Sequence, residues 1–219
     1  MPHAIRYFLR QDYPNKELVI IDDGVKAAAE LIPADPRIRY FRLSQKQPIG
    51  TKRNLACEAA RGKLIAHWDD DDWFSARRLS YQVGAMLSAE GEVCGLRQML
   101  FYKIAAGKTW LYRLPSAFWN WLIGGSLIYT RDFWRRGHFP PVWVGEDTIF
   151  ISNHFSKDAL KNAVYLSDFS IYVALVHSNN NTSSHNFRGP SWMPWRGDLA
   201  GIMGDDLKCY PPLFRRRIR

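Results

Sequence analysis

The stretch His67-Trp-Asp-Asp-Asp-Asp-Trp73 sets four adjacent carboxylates, Asp69 to Asp72, directly after the short apolar run Lys63–Trp68. Adjacent carboxylates repel one another, so such a cluster is costly unless a cation relieves it. A hard divalent ion such as Mg²⁺ or Mn²⁺ takes oxygen ligands and is typically held by one or two carboxylates plus substrate phosphates. The competing reading, an acidic solvated loop, explains the charge but neither the flanking tryptophans nor the position after a strand. Two further acidic pairs can do chemistry. Asp22-Asp23 closes the apolar run Glu17–Asp22, where a carboxylate can accept hydrogen bonds from a base or a sugar; Asp-Asp-Gly is equally a turn sequence. Glu146-Asp147 follows Gly145 at the head of a helical stretch. A carboxylate there can act as general base toward a nearby hydroxyl, and it also suits the positive end of a helix dipole.

These groups need elements to hold them. Glu17–Asp22 is a nearly continuous apolar run, the pattern of a buried parallel strand, and Gly24 permits the tight turn that follows. Arg37–Phe41 reads as a second strand. Lys52–Arg61 reads as a helix with Thr51 near its start and Gly62 just past its end. Lys63–Trp68 is a third strand. Ser75 can cap a helix running to about Glu90, with Leu79, Val83, Met86 and Leu87 spaced to share a face. Strands alternating with helices argue for a parallel sheet covered by helices. Further on, Glu92–Leu96 and Met99–Tyr102 read as strands, and Thr109–Tyr112 returns after Gly107-Lys108 as a hairpin. Gly124–Thr130 is a further strand, followed by a short helix over Arg131–Arg136. Thr148–Phe155 is helical in pattern, with late strands at Val164–Leu166 and Ile171–Val176. From His177 onward the chain is polar and rich in Gly and Pro, as in a long loop or tail.

The 219 residues fit one domain of ordinary size. The 31 aromatic residues argue against disorder, since disordered chains are poor in them. The longest uncharged stretch, Leu114–Thr130, is too short for a membrane helix and contains Pro115 and two glycines. No apolar leader core follows Met1, and three well-separated cysteines argue against a disulfide framework. A cytoplasmic protein is the expectation. Net charge is +9. Four arginines fall among residues 215–219, a basic tail that can touch nucleic acid or an anionic membrane face, or simply be a solvated chain end.

Taken in order, Asp12–Gly24, Ile49–Asn54, Arg61–Asp72, Gly124-Gly-Ser-Leu127 and Gly145-Glu-Asp-Thr148 resemble a family 2 glycosyltransferase over about residues 5–185. The resemblance implies an α/β, GT-A-like nucleotide-diphospho-sugar transferase fold, with a mixed, mostly parallel sheet flanked by helices. It implies a domain over 1–185 and a polar, basic extension over 186–219. Asp22 and Asp23 match carboxylates that contact the nucleotide, and Gly50, Arg53 and Asn54 match the lining of its pocket. Asp69-Asp70-Asp71 matches the DxD motif, with Asp69 and Asp70 on the donor side and Asp71 on the metal. Gly125 falls in the donor-sugar and acceptor cleft. Asp147 matches the catalytic base, Glu146 an acceptor or sugar contact, and His177 a late histidine that can join the metal or the diphosphate; a single His after a strand is also often structural. Tryptophans 73, 119, 121 and 143 can stack on sugars, although core packing suits most of them.

The implied reaction is a metal-dependent, inverting transfer of a sugar from a nucleotide-diphosphate donor to a hydroxyl of a saccharide or lipid-linked acceptor. The expected cofactor is Mg²⁺ or Mn²⁺. Peripheral contact with the inner membrane face through the arginine tail is a further expectation, and no nucleic-acid partner is expected. The resemblance also implies that roughly 20–30 residues of the family's start, including a central strand, precede the equivalent of Met1, and losing such a strand would expose paired backbone and apolar faces. Either the chain starts upstream or it is a remnant with impaired nucleotide binding. The rivals are therefore an inactive nucleotide-sugar-binding relative and, from another class, a basic nucleic-acid-binding protein.

Overall fold

The computed structural model describes residues 1–115, 117, 120–154, 162–178 and 187–212. Trp119 and the arginines at 215–219 lie outside the described residues.

Helix α1 (Pro2–Leu9) opens the chain with proline in its first turn, where a missing N–H costs nothing. Its Ala4, Ile5 and Phe8 fall at helical spacing, and Ile5 and Phe8 pack on Leu18 and Ile20 of β1 (Leu18–Asp22). β1 pairs in parallel with β2 (Ile38–Arg42), and α2 (Ile49–Ala59) leads to β3 (Leu64–Ala66). The acidic cluster then turns the chain into a two-residue strand, β4 (Trp73–Phe74), and α3 (Arg78–Ser88). Leu79, Val83 and Met86 of α3 are buried as expected, but Leu87 is 68% exposed. The buried face instead takes in Arg78 and Gln82, two polar side chains that hydrophobic spacing does not reveal.

Next come β5 (Val93–Leu96), β6 (Gln98–Lys103) and β7 (Lys108–Arg113), the last two an antiparallel hairpin whose turn uses Gly107 at φ +60°. β8 (Ile128–Thr130) is shorter than expected because residues 124–126 form a tight 3₁₀ turn. α4 (Arg131–Arg136) is capped by Thr130, whose hydroxyl accepts from the Phe133 N–H at 3.0 Å. α5 (Glu146–Asn153), β9 (Ala163–Leu166), β10 (Tyr172–Val176), β11 (Trp192–Trp195) and α6 (Leu199–Met203) complete the chain.

The strands form three sheets: β1-β2, β3-β8-β5-β9 and β11-β7-β6-β10-β4. The architecture is mixed α/β, and only β1–β2, β5–β9 and β6–β10 pair in parallel. The remaining pairs are antiparallel because hairpin and return strands (β4, β7, β8 and β11) interleave with the crossovers. Residues beyond 185 join this framework. β11 pairs with β7, and Asp206 accepts from Arg6 at 2.6 Å and from the Trp73 indole at 2.8 Å, and also pairs with Arg10. Among the described residues no helix is long and apolar enough to cross a membrane.

Candidate active site

The four consecutive aspartates separate into different environments once the chain turns out of β3. Asp72 is buried, accepting from the Leu175 N–H at 2.8 Å and from the Tyr172 hydroxyl. Burial first, then the charges of Asp69 and Asp71, push its carboxyl well above the ordinary range. Its role is to tie the acidic turn to β10. Asp70 is the outward member, its side chain 61% exposed. Asp69 and Asp71 remain partly accessible beside one another. Asp69 accepts from the Arg53 guanidinium at 3.3 Å and the Tyr172 hydroxyl at 3.2 Å. Asp71 lies 3.2 Å from Nε2 of His177. Its carboxyl is also raised, by burial and by the charges of Asp69 and Asp70, which outweigh the neighbouring histidine.

That repulsion is what a cation would relieve, and the Asp71 oxygens suit Mg²⁺ or Mn²⁺, whereas the His177 imidazole is a donor that transition ions accept more readily than Mg²⁺. Among the described residues no cluster of three or more potential metal ligands is assembled. Asp71 and His177 by themselves offer two donors, so an ion held there would need its remaining positions filled by substrate oxygens and water. A cavity of about 420 Å³ opens beside them, lined also by His3, Asp70, Ile104 and Tyr210.

Arg53 joins two motifs that lie far apart in sequence. Its Nε donates to Glu146 at 2.9 Å while its Nη2 reaches Asp69. Burial works against the guanidinium, but the carboxylates of Asp69 and Glu146 outweigh it and hold Arg53 more firmly charged. Glu146 is 5% exposed and spends its Oε1 on this pair. Asp147, beside it in the first turn of α5, is only half-buried; its Oδ1 accepts from the Thr148 N–H at 2.6 Å. Gly145 at φ +80° makes the bend that starts the helix. Oδ2 of Asp147 rests on the Cα of Gly124, where a side chain would have no room. A Cβ on Gly125 would strike the Tyr172 hydroxyl and come within 2.9 Å of Asp69 Oδ2. The two glycines thus let the carboxylates of Asp147 and Asp69 approach the same turn.

The other residues singled out from the sequence make internal contacts. Asp22 accepts from the N–H groups of Gly24 and Ala28, both at 2.8 Å, from the Tyr40 hydroxyl at 2.6 Å and from Arg42. Burial alone would raise its pKa, yet these donors bring it down to about 2. Asp23 accepts from Lys52 at 2.9 Å and the Gln47 N–H at 3.0 Å, and these contacts outweigh burial and lower its pKa too. Gly50 is required by the Pro140 carbonyl, which a Cβ would strike. Asn54 straps α2 to the 134–139 segment, donating to Phe139 O at 2.9 Å and accepting from Trp134 Nε1 and Phe139 N, both at 3.0 Å. Trp73 is core, whereas Trp143 is 55% exposed four residues before Asp147. Sequence reasoning missed Tyr172 and Arg78. Both sit inside apolar patterns, and only a polar group within a buried face could have signalled them.

The family described as glycosyl transferase family 2 matches residues 1–143. An uncharacterised glycosyltransferase of Rickettsia felis is 37% identical over 181 residues, covering 81% of this chain and 28% of that protein. The Escherichia coli enzyme UDP-Glc:alpha-D-GlcNAc-diphosphoundecaprenol beta-1,3-glucosyltransferase WfgD is 32% identical over 87 residues, 38% of this chain and 34% of that protein. The chain thus spans about a third or less of these two relatives. The crystal structure of Staphylococcus aureus TarS (1–349) with UDP-GlcNAc superposes with a TM-score of 0.64 at 20% identity, covering 83% of this chain and 56% of that one. TarS with UDP gives 0.59 at 18% identity.

Proposed function

Since the chain belongs to glycosyl transferase family 2, we propose that it moves a sugar from a nucleotide-diphosphate donor to an acceptor hydroxyl, with inversion and with the help of a divalent cation. The observation that carries this reading is the convergence of Asp69 and Asp147, from two distant stretches, on one glycine turn, with Arg53 bridging Asp69 to the neighbouring Glu146. The UDP and UDP-GlcNAc bound to TarS support a uridine nucleotide as donor. WfgD, named for a diphosphoundecaprenol acceptor, supports a lipid-linked saccharide.

In this mechanism Asp147 takes the proton from the acceptor hydroxyl as the oxygen attacks the anomeric carbon. General-base action of this kind contributes typically about 10²–10⁴-fold. The bond from that carbon to the diphosphate oxygen breaks, and attack from the opposite face inverts the centre. Asp71 and His177 would hold the cation, which when bound supplies Lewis-acid stabilisation of the departing diphosphate. Asp69 and Asp70 face the donor, and Arg53 keeps Asp69 in register with the Glu-Asp pair. Glu146 acts through Arg53. Asp22 and Asp23 shape the loop under the nucleotide base, Gly50 and Asn54 fix the helix beside it, and Gly125 makes room for the Tyr172 hydroxyl and Asp69 on the donor side.

The catalytic unit is residues 1–185, with 186–219 an extension that lends β11 to it. Tail-mediated membrane contact belongs to the same proposal and is read by sedimentation with anionic vesicles. The deciding experiment is turnover of a panel of nucleotide sugars with Mg²⁺, Mn²⁺ or EDTA, with product anomers identified by NMR. Metal-dependent turnover lost in Asp71→Asn, and transfer lost in Asp147→Asn with donor binding intact, are the expected results. Retained metal-dependent turnover in Asp71→Asn would overturn the metal assignment. Near-native transfer by Asp147→Asn would overturn the base.

A further inference from the structure

The turn at Gly124-Gly125-Ser126 exposes three successive backbone carbonyls to the protein interior, and each is taken by a different buried side chain. Nδ1 of His67 lies 2.8 Å from Gly124 O, Nη2 of Arg78 donates to Gly125 O at 3.2 Å, and Nε2 of Gln82 donates to Ser126 O at 2.9 Å. His67 is 3% exposed and Arg78 and Gln82 are 0% exposed. A carbonyl only accepts, so His67 must carry its proton on Nδ1. Its Nε2 is then an acceptor, served by the Tyr129 hydroxyl at 3.2 Å, and that hydroxyl in turn lies 3.5 Å from Cys57 Sγ. The direction of every proton along Cys57, Tyr129, His67 and Gly124 is thereby fixed, and the chain is neutral throughout. Burial is the chief cause keeping the imidazole uncharged and the thiol and phenol protonated.

Arg78 is held the same way on its other side. Its Nε donates to Gln82 Oε1 at 3.0 Å, and its guanidinium lies over the rings of Trp68, Phe74 and Tyr172 at 4.5 to 5.2 Å from their centroids. Of the candidate carboxylates, Asp147 meets the turn at Gly124 and Asp69, beside the Tyr172 hydroxyl, meets it at Gly125. We infer that His67, Arg78 and Gln82 form a carbonyl clamp whose work is to hold the glycine turn as the seat of the Asp147 and Asp69 carboxylates. They are positioning residues, since none is in contact with the cleft carboxylates' reacting oxygens. The inference rests on the proposed role of Asp147 only for its catalytic consequence; the clamp and its tautomer stand on geometry.

Two isosteres separate the nitrogens of His67. The amide nitrogen of Asn reproduces Nδ1, and that of Gln reproduces Nε2. In the full chain labelled with ¹⁵N-histidine, His67 is expected as the Nδ1–H neutral tautomer, unchanged between about pH 5.5 and 8.5. The Nε2–H tautomer, or titration within that range, would overturn the inference. With the nucleotide sugar that the native protein turns over, His67→Gln is expected to lower kcat about 100-fold with donor KM within about threefold, the cost of a misplaced group roughly 1 Å off. His67→Asn is expected to recover at least about tenfold of that loss. Circular dichroism on each variant excludes unfolding. Equal activity of the Asn and Gln variants, both folded, would overturn the clamp. Arg78→Lys, which keeps charge but loses the fork that spans Gln82 and Gly125, is expected to fall with His67→Gln and not with His67→Asn. Should Asp147→Asn remain active while the His67 tautomer is as stated, the base assignment fails and the clamp survives.

Discussion

Replacing Arg53 by methionine removes a cation that pairs with both Asp69 and Glu146. The pair with Glu146 is the larger part of the effect. Arg53 is 16% exposed and the Glu146 carboxylate 6%, so the substitution strands a nearly buried charge. Breaking a buried pair from one side costs about 3–5 kcal/mol, and we take the lower end because the geometry is single rather than forked. The Asp69 leg adds little. That carboxylate is 29% exposed at 3.3 Å, where solvent screening leaves about 0.5 kcal/mol or less. A loss of about 3 kcal/mol in a chain of this size lowers Tm by roughly 6–12 °C. The control is Arg53→Met combined with Glu146→Gln, in which no charge is stranded; it is expected to regain about 2 kcal/mol over the single variant. Urea unfolding of the native protein, both single variants and the double variant closes the cycle. A Tm for Arg53→Met within about 2 °C of native, or a double variant no more stable than Arg53→Met, would refute the bridge as a buried ion pair.

Other outcomes follow from the same geometry. Gly124→Ala puts a methyl where Asp147 Oδ2 sits, so kcat for transfer is expected to fall about 100-fold while donor affinity, measured by calorimetry, stays near native. Asp22 titrates at about 2 when folded against 3.8 when unfolded. Its folded value is the lower, so it stabilises the protein above pH 4 and that contribution disappears as pH falls toward 2. Asp22→Asn is therefore expected to cost about 2 kcal/mol at pH 7 and to flatten the acid limb of the stability curve, read by denaturant midpoints at stepped pH. Ending the chain after residue 185 removes β11 and Asp206, leaving Arg6 and Arg10 without their shared carboxylate. A Tm drop beyond 5 °C, of order 2 kcal/mol, is expected for that form by calorimetry.

The placement of the candidate site's acidic motifs can be read from sequence because they adjoin elements with clear patterns. Asp22 ends β1, Asp69 follows β3, and Asp147 heads α5, each where the pattern of neighbours places it. The family resemblance and the mixed α/β architecture hold for the same reason. What sequence hides is how each carboxylate is used. Asp69 and Asp72 differ by three positions and look alike in a string of four, yet one is bridged to an arginine in the cleft and the other is sealed against β10. Arg78 and Gln82 occupy a helix face that apolar spacing assigns to Leu87, because buried backbone carbonyls from a distant turn supply partners no local pattern can show. β4 and β11 escape as well. One is two residues long, and the other contains Pro194 and pairs only at an edge, where proline is tolerated.

The grip of Asp206 on α1 also has a consequence in time. Arg6 and its carboxylate are 200 residues apart, and at about 5–20 residues per second the ribosome needs roughly 10–40 s to make the second after the first. During that interval Arg6 on α1 and Arg10 just past it lack their shared carboxylate, although Arg10 can already donate to Phe74 O and Tyr7 already has Trp73 beside it. The cationic face of that helix, beside the cavity lined by His3 and Tyr210, is therefore secured late, long after its apolar face has met β1. Nascent chains halted before residue 206 are expected to hold α1 against β1 but to be cut by protease near Arg6 and Arg10 more readily than chains that carry Asp206.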